Sequence, residues 1–253
     1  MLRQYGTFFA LALMNAAVSV QLAAPAEARM PGAYEWGILD AFDVSSTVGV
    51  ERPVAAKAVD LAVQEWEHWG RQTLRSNRRV KRQKGEPKIH FEKDSGYAER
   101  VGEFWAVVNN EKWTGKTNEP WSAAFVSWVM QEAGAGKAFR YSGAHSVYIR
   151  AAIANRKAGK LDAGFVGYRI EEMAPRLGDL VCYSREEKQT ATYDSVKHYP
   201  SHCDVVVATG EDEIEVIGGN VQDSVSKKIL AVDREGLVAD QGYRWFAVIR
   251  TNL

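Results

Sequence analysis

The sequence predicts an α+β fold, with helices first and an antiparallel sheet after them. Three observations carry that prediction. Apolar residues recur at three- and four-residue intervals through the first half of the chain. From about residue 165 the pattern changes to short runs of strand-forming residues separated by turn signals. The two kinds of element are segregated instead of alternating, which argues against a parallel α/β sheet.

Taken in order, Pro53 opens the first helix. Val54, Ala58, Leu61, Ala62, Trp66 and Trp69 form its apolar side, and Gly70 ends it. A second helix is expected over 99–109, with Val101, Phe104, Trp105 and Val108 on one side. A loop holding Gly115 and Pro120 leads to a third, almost wholly apolar helix over 121–133, stopped by Gly134 and Gly136. Ser142 reads as the N-cap of a fourth, over 143–157, with Gly159 as its stop. Strands are expected over 165–170, 179–184, 203–209, 213–217, 225–232 and 245–250, with a hairpin turn at Gly210-Glu211-Asp212.

Composition narrows the class. The 253 residues include 32 basic and 32 acidic side chains, so net charge gives no argument for a nucleic-acid partner. Eight Trp imply either a heavy aromatic core or a surface that stacks on sugars and peptides. Residues 1–28 read as a cleaved secretory signal: Arg3, an apolar stretch from Phe8 to Leu22, then Ala26-Glu27-Ala28. That stretch is too short and impure for a membrane span, and no later segment is long enough for one, so a soluble exported protein, periplasmic or secreted, is expected. Residues 29–95 read as a helical and basic N-terminal extension, and 96–253 as the main domain.

In an oxidising compartment, Cys182 and Cys203 either pair between neighbouring strands or stand as two buried small hydrophobes. The run from Arg71 to Lys88 carries eight basic residues against the single acid Glu86. It is read as a solvated segment or as a contact with an anionic envelope surface.

The candidate chemistry lies in three separated stretches. Ser122 stands at a helix start just behind Pro120, where helix amides can face a developing oxyanion. His202 stands at a strand start and could act as its base. Asn220, after the next strand, could orient the imidazole. His198, His202, Cys203 and Asp204 are weighed as metal ligands and set aside, because adjacent strand residues point to opposite faces. No metal and no cofactor is expected.

The helix Trp121-Ser122-Ala123-Ala124-Phe125-Val126-Ser127-Trp128, the strand beginning Gly178-Asp179-Leu180-Val181, the His202 strand and the turn Gly218-Gly219-Asn220 resemble the CHAP and NlpC-type cell-wall amidases and endopeptidases. More narrowly, these stretches together with Tyr141–Ser146 look like an uncharacterised family of exported bacterial domains carrying serine at the nucleophile position. The resemblance covers about Tyr97 to Arg250. It implies a papain-like fold and hydrolysis of an amide bond in peptidoglycan or a related envelope substrate. Ser122 falls on the nucleophile, His202 on the base and Asn220 on the orienting residue. Apart from the resemblance, Trp121 and His145 are read as contacts for a ligand bound in the same groove, with His145 alternatively a cap of its own helix. Serine replaces the family's cysteine, and an alcohol needs a base to remove its proton during attack, whereas a thiol ionises readily. Ser122 therefore stands under three readings: an ordinary helix-start serine, a hydrolase nucleophile, or a relic in a cleft that binds a glycan or peptide without cleaving it.

Overall fold

In the computed structural model, the structure describes residues 52–75, 78–186 and 190–253. The expected signal segment and its cleavage point near Ala28 lie outside the described residues. From Arg52 to Leu253 the described residues belong to one compact unit.

Among the described residues there are four α-helices, α1 (Val54–His68), α2 (Tyr97–Ala106), α3 (Ser122–Glu132) and α4 (His145–Lys157). Eight strands follow or precede them: β1 (Thr73–Arg75), β2 (Arg78–Arg79), β3 (Phe165–Arg169), β4 (Leu180–Ser184), β5 (Ser201–Thr209), β6 (Glu213–Val221), β7 (Ser224–Ala231) and β8 (Arg244–Thr251). They make one sheet in the order β2-β1-β7-β6-β5-β4-β8-β3. The fold is α+β, as the segregated patterns predict. The sheet is mixed, however, because β1 runs parallel to β7 while the other pairs are antiparallel.

That parallel pair also changes the domain picture. The expected extension over 29–95 is, from Arg52 onward, part of the same unit: α1 packs on α3 and β5, and β1 adds to the sheet. The basic run supplies β1 and β2, and several of its charges are paired. Arg71 meets Glu67, Arg75 meets Glu213, and Arg82 meets Glu86.

The helices lie against one face of the sheet. Helix α3 packs against α1 and α2 on one side and against β5 and β6 on the other, which is why it is apolar all round. Phe125, Val126, Val129 and Met130 are fully buried there with Trp69, Phe104 and Trp121. The opposite face carries a second cluster of Val181, Val206, Ile214, Val216, Leu230 and Val248.

Two glycines on β6 let these layers close. A Cβ on Gly219 would stand 2.5 Å from the Phe125 Cβ and 2.7 Å from the Trp121 ring, so the start of α3 rests on bare backbone. A Cβ on Gly218 would stand 2.0 Å from an Asp204 oxygen and 2.8 Å from His202 Nε2. The Gly-Gly pair is thus a packing device for the two sides of the candidate site.

No helix among the described residues is long and apolar enough to cross a membrane.

Candidate functional site

Ser122 is the first residue of α3, and the chain enters through Pro120 and Trp121. The first amides of a helix have no intrahelical acceptor, so this end presents N–H groups and positive potential. A cavity of about 450 Å³ opens here, lined among others by Trp105, Ser122, His145, Arg185 and Tyr199. Ser122 sits at its floor, 2% exposed.

The imidazole that meets Ser122 is His145. Its Nε2 lies 2.7 Å from Ser122 Oγ. The other nitrogen decides the direction of that bond. The backbone N–H of Cys203, which can only donate, reaches His145 Nδ1 at 3.1 Å. The Tyr148 hydroxyl contacts the same nitrogen, and burial raises its pKa well above 10.0, so it keeps its proton. Nδ1 therefore carries the lone pair. The neutral ring holds its hydrogen on Nε2 and donates it to Ser122. Burial, reinforced by His202, Arg185 and Lys228, drives the His145 pKa well below 6.5 and keeps the ring neutral.

His202 lies close by, its ring centroid 5.1 Å from that of His145, but it belongs to a different set of bonds. Side chains alternate along β5. Cys203 and Val205 join the cluster beneath the helices, whereas His202 shares its parity with Asp204 and Val206. His202 Nε2 donates to Asp204 Oδ1 at 2.9 Å, and Lys228 Nζ holds both Asp204 oxygens at 2.7 and 2.8 Å. The remaining nitrogen, Nδ1, accepts from Arg185 Nη2 at 2.9 Å. The same guanidinium nitrogen makes a long contact of 3.5 Å to Ser122 Oγ.

All three members of the Lys228–Asp204–His202 chain are buried. Burial would raise the Asp204 pKa, but Lys228 and His202 outweigh it and hold the carboxylate at about 2. Burial pushes His202 down to about 3, Asp204 opposing and Lys228 and Arg185 adding to the fall. Burial also lowers Lys228, against the attraction of Asp204.

The expected Ser122–His202–Asn220 set is therefore not joined by direct contacts. Ser122 bonds His145, and the residue that orients His202 is Asp204. Asn220 sits in a β-bulge at the β6–β7 turn with φ +53°, beside Glu119, Pro120 and Arg185 in a neighbouring depression. Trp121, expected to touch substrate, is fully buried. Its indole N–H donates to Glu92 at 2.7 Å and its ring stacks on Trp69 and Phe104. Ser142 does not cap α4; Ala144 is the N-cap, and Ser142 Oγ accepts the Ala144 N–H. Cys182 and Cys203 stand opposite each other on β4 and β5 and form a disulfide.

Asp204 was within reach of sequence reasoning. The alternation that separates His202 from Cys203 also places Asp204, two residues on, beside His202. Arg185 and Lys228 carried no local signal, because only the strand order brings them to this place.

Among the described residues there is no group of three or more His, Cys, Asp or Glu that could hold a metal ion. Residues 92–251 match the model of a family described as an uncharacterized protein conserved in bacteria, DUF2272. The chain belongs to the DUF2272 family. The match contains Ser122, His145, Arg185, His202, Asp204, Asn220 and Lys228, so the whole candidate site lies within the DUF2272 region. Helix α1 and strands β1 and β2 precede it. No curated protein and no solved structure matches the chain.

Proposed function

We propose that the cleft at Ser122 binds a ligand without hydrolysing it, in an exported protein that takes up a peptide or glycan fragment of the bacterial envelope. One observation carries this reading. Ser122 Oγ receives a hydrogen bond from the N–H of His145, so the nearest imidazole offers it no base. General-base attack needs a lone pair on that nitrogen and a ring that tolerates the positive charge it then acquires. Both imidazoles resist that charge, because burial and the nearby Lys228 and Arg185 disfavour it. With a donor already on its oxygen, the Ser122 hydroxyl has its own proton to offer to a ligand. Export is supported by the N-terminal signal pattern and by a disulfide suited to an oxidising compartment.

The test is fluorophosphonate labelling of the purified mature protein alongside binding of muropeptides. The reading predicts no covalent label on Ser122 and saturable muropeptide binding without release of products. Stoichiometric labelling that disappears in Ser122→Ala would contradict it.

A hydrolase related to the CHAP and NlpC-type amidases is the second reading, and a separate observation favours it. His202 donates Nε2–H to Asp204 and so keeps a bare Nδ1, covered by Arg185. Arg185 is itself exposed. If it swung aside, Ser122, His202 and Asp204 would be nucleophile, base and orienting carboxylate. Under that reading Arg185→Ala acquires fluorophosphonate labelling; under the binding reading it remains unlabelled.

A further inference from the structure

We infer that the cleft recognises a carboxylate, with Trp105 Nε1, the Ser122 hydroxyl and Arg185 as its donors; the inference rests on reading the cleft as a ligand site. Five buried side-chain polar atoms among the described residues have no hydrogen-bond partner, and two of them, Trp105 Nε1 and Tyr199 Oη, belong to residues lining this one cavity. Trp105 is 3% exposed and Tyr199 7% exposed, so water has little access to either. An indole N–H can only donate, and leaving such a group unpaired in a folded protein costs about 1–3 kcal/mol. What excludes water also excludes a ligand atom, so an acceptor in the cavity removes that penalty by drawing the buried donor toward it through a shift of the ring.

The neighbouring groups point the same way. Ser122 already receives a hydrogen bond and has its own proton to give. Burial pushes the Tyr199 pKa up to about 12, so its hydroxyl also keeps its proton. Arg185 is the single Lys or Arg in the lining. The single acid there, Glu119, is exposed on the rim, where water screens it.

A set of neutral donors around one guanidinium matches a monoanion that only accepts, which is the description of a carboxylate. A phosphate dianion would call for more positive charge than one arginine brings. The walls contributed by Trp105, Trp113, Pro120 and Pro200 suit the acyl or sugar body that carries the acid, and the cavity volume suits a dipeptide or one sugar.

Calorimetric titration of the mature protein tests this with two matched pairs of probes. N-acetyl-alanyl-alanine is compared with its C-terminal amide, and N-acetylmuramic acid with the amide of its lactyl carboxyl group. The acid of at least one pair is expected to bind about tenfold or more tightly than its neutral twin, and which pair does so identifies a peptide or a sugar acid as the source. Trp105→Phe, which keeps one aromatic ring and loses the indole N–H, should weaken the acid on the order of tenfold and leave the neutral probe unchanged. Should that core substitution disturb folding, Arg185→Gln at an exposed position makes the same demand: the preference for acid over neutral probe must collapse. Equal affinity within both pairs, a preference that survives both variants, or no binding of either acid overturns the carboxylate assignment. Those results leave the ligand-binding reading standing wherever muropeptides bind and Ser122 stays unlabelled; labelling of Ser122 instead removes that reading, whatever the probes do.

Discussion

Two histidines stand in different relations to Ser122: His145 bonds it directly, and His202 is linked to it only through Arg185. His145 and His202 hold the same tautomer, hydrogen on Nε2 and lone pair on Nδ1, for different reasons. The Cys203 backbone N–H fixes the first; Asp204 and Arg185 fix the second. His145 turns its N–H end to the serine, while His202 turns its lone-pair end to Arg185, which leans on the same serine. The difference teaches that nearness of a hydroxyl and an imidazole says little about catalysis until the partner of the second ring nitrogen is known.

The largest effect that sharpens this contrast is expected on the His202 side. Asp204→Asn removes the countercharge from a buried lysine, and breaking a buried ion pair from one side costs about 3–5 kcal/mol. Urea unfolding measures it. A loss below about 1 kcal/mol would mean that the Lys228–Asp204–His202 chain does not anchor this part of the sheet. His145, held by a backbone amide and a tyrosine, should retain its tautomer in any Asp204 variant that still folds.

An intermediate effect comes from pH. Both histidines have folded pKa values lowered from 6.5, His202 to about 3. The unfolded chain therefore binds protons that the folded one refuses. Their contribution is complete above about pH 6.5 and is lost as pH falls below it, by about 1.4 kcal/mol per pH unit for each histidine that stays neutral. Asp204, lowered from 3.8 to about 2, adds its own loss between those two values. Stability measured at pH 7.5 and at pH 5 should differ accordingly. A flat profile over that interval would show that neither ring is held neutral.

The smallest effect is expected at Asn220. It occupies a left-handed turn position beside Arg185 and takes no part in the hydrogen bonds of His202. Asn220→Gly should shift stability by less than about 1 kcal/mol. It should also leave the His202 imidazole resonances in place. Movement of those resonances would restore Asn220 to the orienting role that the sequence layout suggests.

Much of the fold was legible because its longer elements follow their own periodicity. Helices α1 to α4 and strands β3 to β8 lie close to where the patterns place them. Strands β1 and β2 were hidden, since three and two residues within a basic run have no period of their own; β7 supplies the partner that defines β1. The site was legible in part. Ser122 could be placed from Pro120 and the helix start, and the Ser122–His145 contact joins two helix N-terminal residues of adjacent elements. Its polarity could not be read, because it depends on a backbone amide 58 residues away. Trp121 misleads for a similar reason: a tryptophan beside a candidate nucleophile looks like a ligand contact until Gly219 is seen to let it sink beneath β6.

The most direct measurement is a long-range ¹H–¹⁵N correlation spectrum of histidine-labelled protein from pH 5 to 8, with His145 assigned by its Gln variant. The account predicts a neutral His145 ring throughout, protonated on Nε2 and bare on Nδ1. A His145 that carries its proton on Nδ1, or that titrates near 6.5, would put a lone pair or a labile charge against Ser122 and contradict it.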